Sequence, residues 1–376
     1  MRLLISSLNS AAWLAEALAQ QPGLAVSALH ARRVDLGDFG VSAPVSPAGA
    51  SYALHTLPIL PRQPYPYSRY TGGLARVLRA AAPDVLYHLG EPSELSTAQV
   101  VRTARRVCPQ AKIVLFSFEN VTRRWHGLPQ CLRGRAERLV LPQVDLFAAC
   151  THTAEAALIR AGVDPARIRV VYLGSNAARF GPQRDPELRA RLAPPEGFLV
   201  GYVGRLVPEK GVDLLLRALA QLPPQCALCL VGSGHCEGEL RRLAEQLRLQ
   251  DRVRWIGRVG HDVMPQYLSA FDALVLPSRG IPTWQEQYGA VLVEGMLCGT
   301  AVVGSTCGAI PEVLGEAGLT FLENDAAALA ERLAALRDDG ALRQSLGQQG
   351  RERALREFTI EAHVGRLMAL FEEAAC

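Results

Sequence analysis

The sequence GYVGRLVPEKG at residues 201–211 places two cations, Arg205 and Lys210, five residues apart behind an apolar run. The chain has 40 Lys and Arg residues, and only Lys112 and Lys210 are lysines. A guanidinium is a planar fork of donors and an ammonium is a compact point charge, so together they suit an anion with several oxygens, such as a diphosphate. A solvated loop in which Lys210 pairs with Glu209 fits the same spacing equally well.

Two glutamates form a second candidate in EQYGAVLVEGM, where seven residues separate Glu286 from Glu294. Gly289 is expected to begin a helix, and apolar neighbours such as Leu292 and Val293 favour burial of Glu294. A buried carboxylate needs a hydrogen-bonded partner, and the diol of a ribose supplies two donors. Glu286 could face the hydroxyls of a sugar or a developing positive charge. The plainer interpretation is a surface glutamate beside a carboxylate that the helix dipole favours.

Alternating segments predict the elements that position these residues. Continuous apolar runs indicate strands that are buried on both faces, as in a parallel sheet, and helical spacing lies between them. The runs are RLLISSL, LAVSAL, YALHTL, DVLYHLG, KIVLFSF, DLFAACT and IRVVYLG, then FLVGYVG, ALCLVG, VRWIG, ALVLPS and AVVGS. The expected helices include 74–82, 96–107, 153–161, 211–221, 237–248, 264–270 and 289–298. In open parallel sheets, ligands bind at the carboxyl ends of strands, where Arg205 and Lys210 follow FLVGYVG.

The segment GSNAARFGPQRDPELRARLAPPEG, rich in Arg, Pro and Gly, divides this pattern into two doubly wound α/β halves. The predicted organisation is a first domain at 1–178, a linker at 179–197, a second domain at 198–358 and a C-terminal helix at 359–376. That helix is expected to pack back toward the first domain.

In their order and intervals, GYVGRLVPEKGVDLLLRAL, LVGSG, WIGRV and EQYGAVLVEGMLCGTAVVGSTCGAIPEVLG resemble the donor domain of retaining, family 4 glycosyltransferases of the GT-B fold. The resemblance is dense over about residues 198–360 and thinner before them. It implies two Rossmann-like doubly wound domains that face each other across a cleft. It also implies transfer of a hexosyl unit from a UDP- or GDP-sugar to a hydroxyl acceptor, which could be a glycan, a lipid-linked sugar or a small molecule.

The resemblance also assigns roles to residues of the second half. Arg205 and Lys210 would bind the diphosphate, Glu286 the donor sugar and Glu294 the ribose. Other donor contacts would come from the close backbone approach at Gly204, from the nucleobase loop at Gly257, Arg258 and Val259, and from backbone groups at Tyr288, Gly289 and Ala290. No D-x-D triplet is present, and the mobile cations could take the place of a metal, so no metal or other cofactor is expected.

The first half departs from the family pattern at two positions. The segment after the first strand, SSLNSAAW, lacks the frequent glycine-rich loop, and LFSFENVT places Glu119 and Asn120 where a histidine is common. Glu119, Asn120 and His126 are therefore candidates for the acceptor or sugar side, with His152 as a second candidate histidine. Glu91 at a strand end could face the cleft, although a plain loop carboxylate is the more ordinary interpretation.

Charge distribution suggests a partner for the first half. Residues 1–180 carry 20 basic and 11 acidic side chains, and the remainder carries 20 and 25. The runs QVVRTARRVC and VTRRWHGLPQCLRGRAER mix arginines with apolar side chains, which is typical either of contact with an anionic membrane or of a solvated arginine-rich face. No nucleic-acid motif accompanies them, so nucleic acid is not an expected partner.

Cysteine usage and the N-terminus predict a cytoplasmic protein. The nine cysteines lack a disulfide framework, and the N-terminus lacks the apolar region of a signal peptide. Cys226 and Cys229, with His235 and Cys236 nearby, could form a metal or redox site, but a buried strand is the favoured interpretation. Two alternatives to a transferase stay open: a sugar-nucleotide epimerase of the same fold, and a non-catalytic binding protein that kept the fold. The expected location is the cytoplasm, with peripheral contact at the inner face of the cell membrane as an addition.

Overall fold

The computed structural model describes residues 1–9, 11–35, 41–42, 44, 49–62, 65–121, 127–194 and 196–376. The chain divides into two compact units, one of residues 1–172 with 363–376 and the other of residues 173–362. Each unit is built on its own parallel sheet.

The first unit contains the strands β1 (Arg2–Ser7), β2 (Ala25–Ala31), β3 (Val34–Asp35), β4 (Val41–Ser42), β5 (Ala53–Leu57), β6 (Ile59–Leu60), β7 (Arg69–Tyr70), β8 (Val85–Leu89), β9 (Lys112–Ser117), β10 (Leu146–Ala149) and β11 (Ile168–Val170). Its helices are α1 (Ala12–Ala19), α2 (Leu74–Ala81), α3 (Leu95–Val107), α4 (Leu128–Val140) and α5 (His152–Arg160), with short 3-10 turns at Tyr65–Tyr67, Leu141–Gln143 and Pro165–Arg167.

A parallel sheet in the order β11-β10-β9-β8-β1-β2-β5 forms the centre of the first unit. Its strand order reverses between β1 and β8, where Ile5 is in register with Tyr87. Leu4, Leu115 and Phe147 belong to one fully buried core cluster, because both faces of the sheet are covered.

The second unit contains the helices α6 (Pro186–Leu192), α7 (Val212–Ala220), α8 (Glu237–Gln246), α9 (Met264–Ala270), α10 (Ala290–Leu297), α11 (Ile310–Leu314), α12 (Ala326–Asp338) and α13 (Gly340–Glu357). Its strands are β12 (Phe198–Val203), β13 (Cys226–Val231), β14 (Val253–Gly257), β15 (Ala273–Leu276), β16 (Ala301–Ser305) and β17 (Leu319–Phe321), and a 3-10 turn spans Pro208–Lys210. The parallel order is β14-β13-β12-β15-β16-β17, so the order reverses between β12 and β15.

The last helix, α14 (Ile360–Ala375), belongs to the first unit from residue 363 onward. There Phe371 packs edge-on against Tyr87 at 5.2 Å between ring centroids, and His363 Nδ1 lies 2.6 Å from the carbonyl of Tyr172. Residues 179–194, at the site of the expected linker, lie in the second unit and include α6. The prediction of two doubly wound α/β units is confirmed.

Candidate functional site

The candidate donor site lies at the carboxyl ends of β12 and β15, the two strands between which the order of the second sheet reverses. A crevice at such a point is where open α/β sheets bind their ligands. The segment 204–211 follows β12 and carries Arg205 and Lys210. The segment 277–289 follows β15 and carries Glu286, so the topology brings the two predicted sequence clusters to one edge.

The backbone of the first segment is held in place by its neighbours. Leu206 N–H donates to the carbonyl of Ser233 at 3.0 Å, and the Tyr202 hydroxyl donates to the carbonyl of Arg205 at 2.6 Å. Gly211 adopts the left-handed conformation with φ of 65°, and a Cβ there would lie 2.0 Å from the carbonyl oxygen of Pro277. Only glycine allows the loop after Lys210 to approach the end of β15 so closely.

Lys210 is the centre of the site. Its Nζ lies 2.5 Å from Glu286 Oε2 and 4.9 Å from the centroid of the Trp284 ring, and its side chain is 15% exposed. Glu286 Oε2 also accepts a hydrogen bond from Ser278 Oγ at 2.7 Å. The predicted ammonium and the first glutamate of the pair therefore form one hydrogen-bonded group.

The backbone around Glu286 is as closely packed as its carboxylate. Ala309 N–H donates to the carbonyl of Glu286 at 2.9 Å, and a Cβ on Gly308 would lie 2.1 Å from that same oxygen. The side chain of Glu286 is 9% exposed, so this carboxylate is fixed in direction at a nearly dry position. Such a group can hold sugar hydroxyls or face a developing cation without first having to be ordered.

Arg205 occupies the same neighbourhood with greater exposure. Its Nη2 lies 3.5 Å from Glu209 Oε1, and its side chain is 27% exposed. The phenol of Tyr202 lies close enough to both Glu286 and Arg205 to be affected by their charges. Burial raises the pKa of this phenol, the negative charge of Glu286 raises the pKa further, and the positive charge of Arg205 lowers it. Each cation thus has a carboxylate neighbour, and a diphosphate with several negative oxygens could compete for both.

Glu294 lies in the second turn of α10 and differs from the other carboxylates of the site. It has no side-chain hydrogen-bond partner in the part of the chain that the structure describes. Burial alone raises the pKa of its carboxyl to about 7. The side chain is half-buried, so its carboxylate is only partly hydrated, and a ligand that brings two hydroxyl donors would supply hydrogen bonds that the described protein does not.

The N-terminus of α10 supplies backbone donors. Gly289 precedes the helix with φ of 75°, no side chain caps it, and its first turn holds no acidic residue. The first amides of such a helix lack intrahelical acceptors and favour an anion. The buried ring of Tyr288 packs on Phe358 at 6.1 Å and its hydroxyl donates to the carbonyl of Leu173 at 2.8 Å, so only the backbone of this residue is left to meet a ligand.

The predicted nucleobase loop follows β14 at this edge. Gly257 has φ of 76°, and its carbonyl accepts from Gly232 N–H at 2.7 Å. Arg258 is exposed and its Nε donates to Ser233 Oγ at 2.7 Å, while Val259 is half-buried. Ser233 thereby links this loop with the segment that holds Arg205.

In the first unit, Glu119 and Asn120 follow β9, also at a carboxyl end of the sheet. Asn120 is 4% exposed, and Glu119 lines a cavity of about 230 Å³ with Glu91, Ser117 and other side chains. Glu91 is a structural carboxylate, because it accepts from Ser117 Oγ at 2.6 Å, from Phe118 N–H at 2.8 Å and from Glu119 N–H at 3.2 Å.

The histidine predictions fare differently. His126 lies outside the described residues. His152 begins α5 with 65% of its side chain exposed and with its Nδ1 2.7 Å from Glu155 Oε2, so it lies on the surface. Burial lowers the pKa of the buried His88 to about 4, and that side chain contacts Ser6 and Thr97 instead of an open site.

Cys226 and Cys229 lie fully buried in β13, where burial raises the pKa of both thiols. Among the described residues, no group of three or more His, Cys, Asp or Glu side chains is arranged to hold a metal ion. The buried-strand interpretation of these cysteines is confirmed. None of the described helices is long and apolar enough to cross a membrane.

Sequence reasoning missed two residues of the site, Ser278 and Trp284. Both lie on the segment after β15, and a serine or a tryptophan in a loop carries no signal that separates it from an ordinary surface residue. The strand assignment could only have indicated that this segment would meet the segment of Lys210, since it follows the neighbouring strand of the sheet.

Two family models match successive parts of the chain. The Glycosyl transferase 4-like domain covers residues 9–174, and the Glycosyl transferases group 1 model covers residues 183–353. Among curated proteins, the chain is 33% identical over 260 residues to a D-inositol 3-phosphate glycosyltransferase of Salinispora arenicola, which is 63% of this chain and 57% of that protein.

A second relative is a GDP-mannose-dependent monoacylated alpha-(1-6)-phosphatidylinositol monomannoside mannosyltransferase of Corynebacterium glutamicum. It is 33% identical over 210 residues, which cover 53% of this chain and 54% of that protein. The chain thus spans little more than half the length of these two relatives.

Solved structures share the fold over nearly the whole chain. HepE of Anabaena in complex with UDP aligns with a TM-score of 0.76 and 21% identity over 99% of this chain and 100% of that one. A sucrose-phosphate synthase of Thermosynechococcus elongatus aligns with a TM-score of 0.74 and 24% identity over 99% of each chain. At these identities the likeness identifies the fold and leaves the substrates open.

Proposed function

Because the chain belongs to the group 1, family 4 glycosyltransferases of the GT-B fold, we propose that it moves a hexosyl unit from a nucleotide-diphosphate sugar to a hydroxyl acceptor. The observation that carries the proposal is the grouping of Arg205, Lys210 and Glu286 at the carboxyl edge of the second sheet, with Glu294 on the adjoining helix. The diphosphate, the sugar and the ribose of a sugar nucleotide each have a chemically matched group there.

The chemistry follows from where charge develops. Cleavage of the bond between the anomeric carbon and the diphosphate leaves negative charge on the phosphate oxygens and positive character on the sugar. Lys210, Arg205 and the first amides of α10 stabilise the leaving diphosphate, and Glu286 faces the sugar. Fixed donors in a water-poor site commonly contribute about 10²–10³ in rate each. We propose that these side chains neutralise the diphosphate and that no metal cofactor takes part.

The proposed stereochemical course is retention. No nucleophilic side chain is assigned by the resemblance, and the leaving phosphate would take the proton of the acceptor on the face from which it departs. A retained anomeric configuration in the product, measured by the one-bond C1–H1 NMR coupling constant, supports this course. An inverted product refutes it.

The donor is proposed to be a UDP- or GDP-sugar. HepE is described in complexes with UDP and with UDP-glucose, and the corynebacterial relative is named for GDP-mannose. A thermal-shift panel of UDP, GDP and ADP, followed by UDP-glucose and GDP-mannose, tests the assignment. We expect one diphosphate to raise the melting temperature, and no response to any member of the panel contradicts the proposal.

The acceptor is proposed to be a hydroxyl of a cyclitol or of a lipid-linked glycan, since the relatives are named for inositol 3-phosphate and for a phosphatidylinositol mannoside. Incubation of the selected donor with and without inositol 3-phosphate distinguishes the reaction classes. A transferase forms a new glycoside in the presence of the acceptor. An epimerase interconverts its donor without acceptor, and a non-catalytic protein consumes no donor.

We further propose a cytoplasmic protein that contacts anionic membrane through its first unit. All nine cysteines are free thiols, which fits a reducing compartment. Arg135 and Arg138 on α4 are exposed beside Leu132, which is 42% exposed, whereas Arg105 of the predicted basic face is turned inward to Asp145 at 2.6 Å. Sedimentation with vesicles that contain phosphatidylglycerol tests this contact, which an Arg135→Glu, Arg138→Glu variant should weaken.

A further inference from the structure

The contact between Lys210 and Trp284 has no part in the roles assigned above. Trp284 closes a tight turn in which Ile281 N–H donates to the carbonyl of Trp284 at 2.9 Å and Trp284 N–H donates to the carbonyl of Ile281 at 3.1 Å. Before this turn, Gly280 N–H donates to Glu323 Oε2 at 2.5 Å. After it, the carbonyl of Glu286 is held by Ala309 N–H. Hydrogen bonds of the backbone at both ends of the segment therefore fix the position of the indole.

The indole and the carboxylate both contact the ammonium, and they do so through different interactions. Glu286 Oε2 accepts a hydrogen bond from Nζ at 2.5 Å, whereas the indole presents its ring at 4.9 Å from Nζ to centroid. A cation over an indole face gains about 0.5–2 kcal/mol, more as water is removed, and this lysine side chain is only 15% exposed. An ammonium has three donors, so the pair fixes its position and leaves donor capacity for an anion.

The contacts with Trp284 and Glu286 explain why an arginine-rich chain has a lysine at position 210. A lysine side chain loses about 2 kcal/mol of rotamer entropy when it is fixed, and the ring contact offsets part of that loss before any ligand arrives. The ammonium is a compact point charge that contacts both the ring and the carboxylate, whereas a guanidinium is planar and larger. Arg205 is more exposed, at 27%, and its Nη2 lies 3.5 Å from Glu209 Oε1.

We propose that Trp284 is a positioning residue. Its ring and Glu286 hold the Lys210 ammonium in the position from which it binds the leaving diphosphate. The inference rests on the proposed function and goes beyond it by giving the loop residue a part in the reaction. The ring acts through the lysine and touches neither the bond that breaks nor the acceptor.

The test compares Trp284→Leu and Trp284→Phe with wild type in the cleavage of UDP-glucose and of GDP-mannose. Because a cation–π contact of this size corresponds to roughly 2–30-fold in rate, we expect Trp284→Leu to lower kcat by about 5–30-fold. Trp284→Phe, which keeps a ring face, should recover at least half of that loss on a logarithmic scale. Equal loss in the two variants contradicts the proposal.

A matched control exists in the same unit. Arg241 lies over the ring of Trp255, 4.6 Å from its centroid, and neither residue is among those assigned to the site. Trp255→Leu removes the same kind of contact and should leave kcat within about twofold of wild type. If Trp255→Leu lowers kcat as much as Trp284→Leu, loss of a tryptophan in this unit is sufficient and the positioning role is refuted.

A double-mutant cycle distinguishes a role of Trp284 through the Lys210 ammonium from a merely structural role. If Trp284 acts through the ammonium, Trp284→Leu added to Lys210→Ala has no further effect on kcat, whereas independent roles multiply. A normal kcat for Trp284→Leu with a crippled Lys210→Ala refutes this inference alone. Failure of the wild-type protein to bind UDP or GDP refutes the proposed function instead. Melting temperatures of all variants show whether each is folded, and the cycle is read from the folded ones.

Discussion

Glu294→Gln should stabilise the protein above neutral pH while weakening nucleotide binding. Burial raises the pKa of this carboxyl from 4.5 to about 7, and the described structure gives the charge no hydrogen-bond partner. Because the pKa is higher in the folded state than in the unfolded chain, folding takes up a proton between the two values. The protonated group costs nothing electrostatically below pH 4.5, and stability falls as pH rises from there to about 7.

The size of the effect follows from the shift. A change from 4.5 to about 7 corresponds to about 3 kcal/mol once both states are ionised. Glutamine keeps the shape without the charge, and any cost of its own buried amide is independent of pH in this range. The stability of the variant relative to wild type should therefore increase by about 3 kcal/mol between pH 4.5 and pH 8. In a unit of this size that is roughly 6–12 °C in melting temperature.

The assay is thermal unfolding at pH 4.5, 6 and 8, with and without the diphosphate that binds wild type. Glu331→Gln, an exposed carboxylate on α12, is the matched control and should show no such change with pH. With saturating nucleotide, wild type should have the higher melting temperature of the two, because its Glu294 carboxylate gains hydrogen bonds from the ribose hydroxyls and the variant has no carboxylate. A variant-to-wild-type difference that is the same at all three pH values refutes the buried-charge argument, and unchanged nucleotide affinity refutes the ribose role.

The remaining predictions concern three positions. Lys210→Ala should lower turnover by about 10²-fold or more with the fold intact, and Lys210→Arg should restore little of it because a planar guanidinium does not reproduce the compact point charge of the ammonium; wild-type rates at saturating donor in either variant contradict this. Gly211→Ala should destabilise the second unit by about 2 kcal/mol or more, since it combines a left-handed backbone with a Cβ 2.0 Å from a carbonyl oxygen, and an unchanged melting temperature would overturn that expectation. Glu91→Ala should speed hydrogen exchange at the amides of Phe118 and Glu119 by about tenfold or more, since each loses its carboxyl acceptor, and unaltered exchange at both amides would show that the loop does not depend on this carboxyl group.

Much of the fold could be predicted from the sequence, because the strands of a doubly wound sheet are buried on both faces and appear in the sequence as continuous apolar runs. FLVGYVG and KIVLFSF became β12 and β9, and the expected helix 264–270 runs over the same residues in the structure. The short strand β17 and the helices α6 and α11 were not predicted, since a three-residue strand and five- to seven-residue helices have too few turns for a period to appear.

The candidate site was predicted in part. Charge in apolar surroundings made Arg205, Lys210, Glu286 and Glu294 candidates, and the resemblance to the family's motifs, not spacing alone, assigned their roles. Spacing could not indicate that Lys210 and Glu286, 76 residues apart, would bond to each other, since that depends on the adjacency of β12 and β15. Spacing also could not show that the ring of Tyr288 is buried against Phe358, because that contact depends on the tertiary structure.

The measurement that tests the central claim most directly is calorimetric binding of UDP and uridine, and of GDP and guanosine, to wild type and to an Arg205→Ala, Lys210→Ala variant. Charge-assisted hydrogen bonds contribute about 1.5–3 kcal/mol each, so wild type should bind one diphosphate at least about 100-fold more tightly than its nucleoside. In the variant that ratio should fall to within a few-fold, with the nucleoside affinity unchanged. A diphosphate that binds no more tightly than its nucleoside, or a variant that keeps the full ratio, contradicts the account.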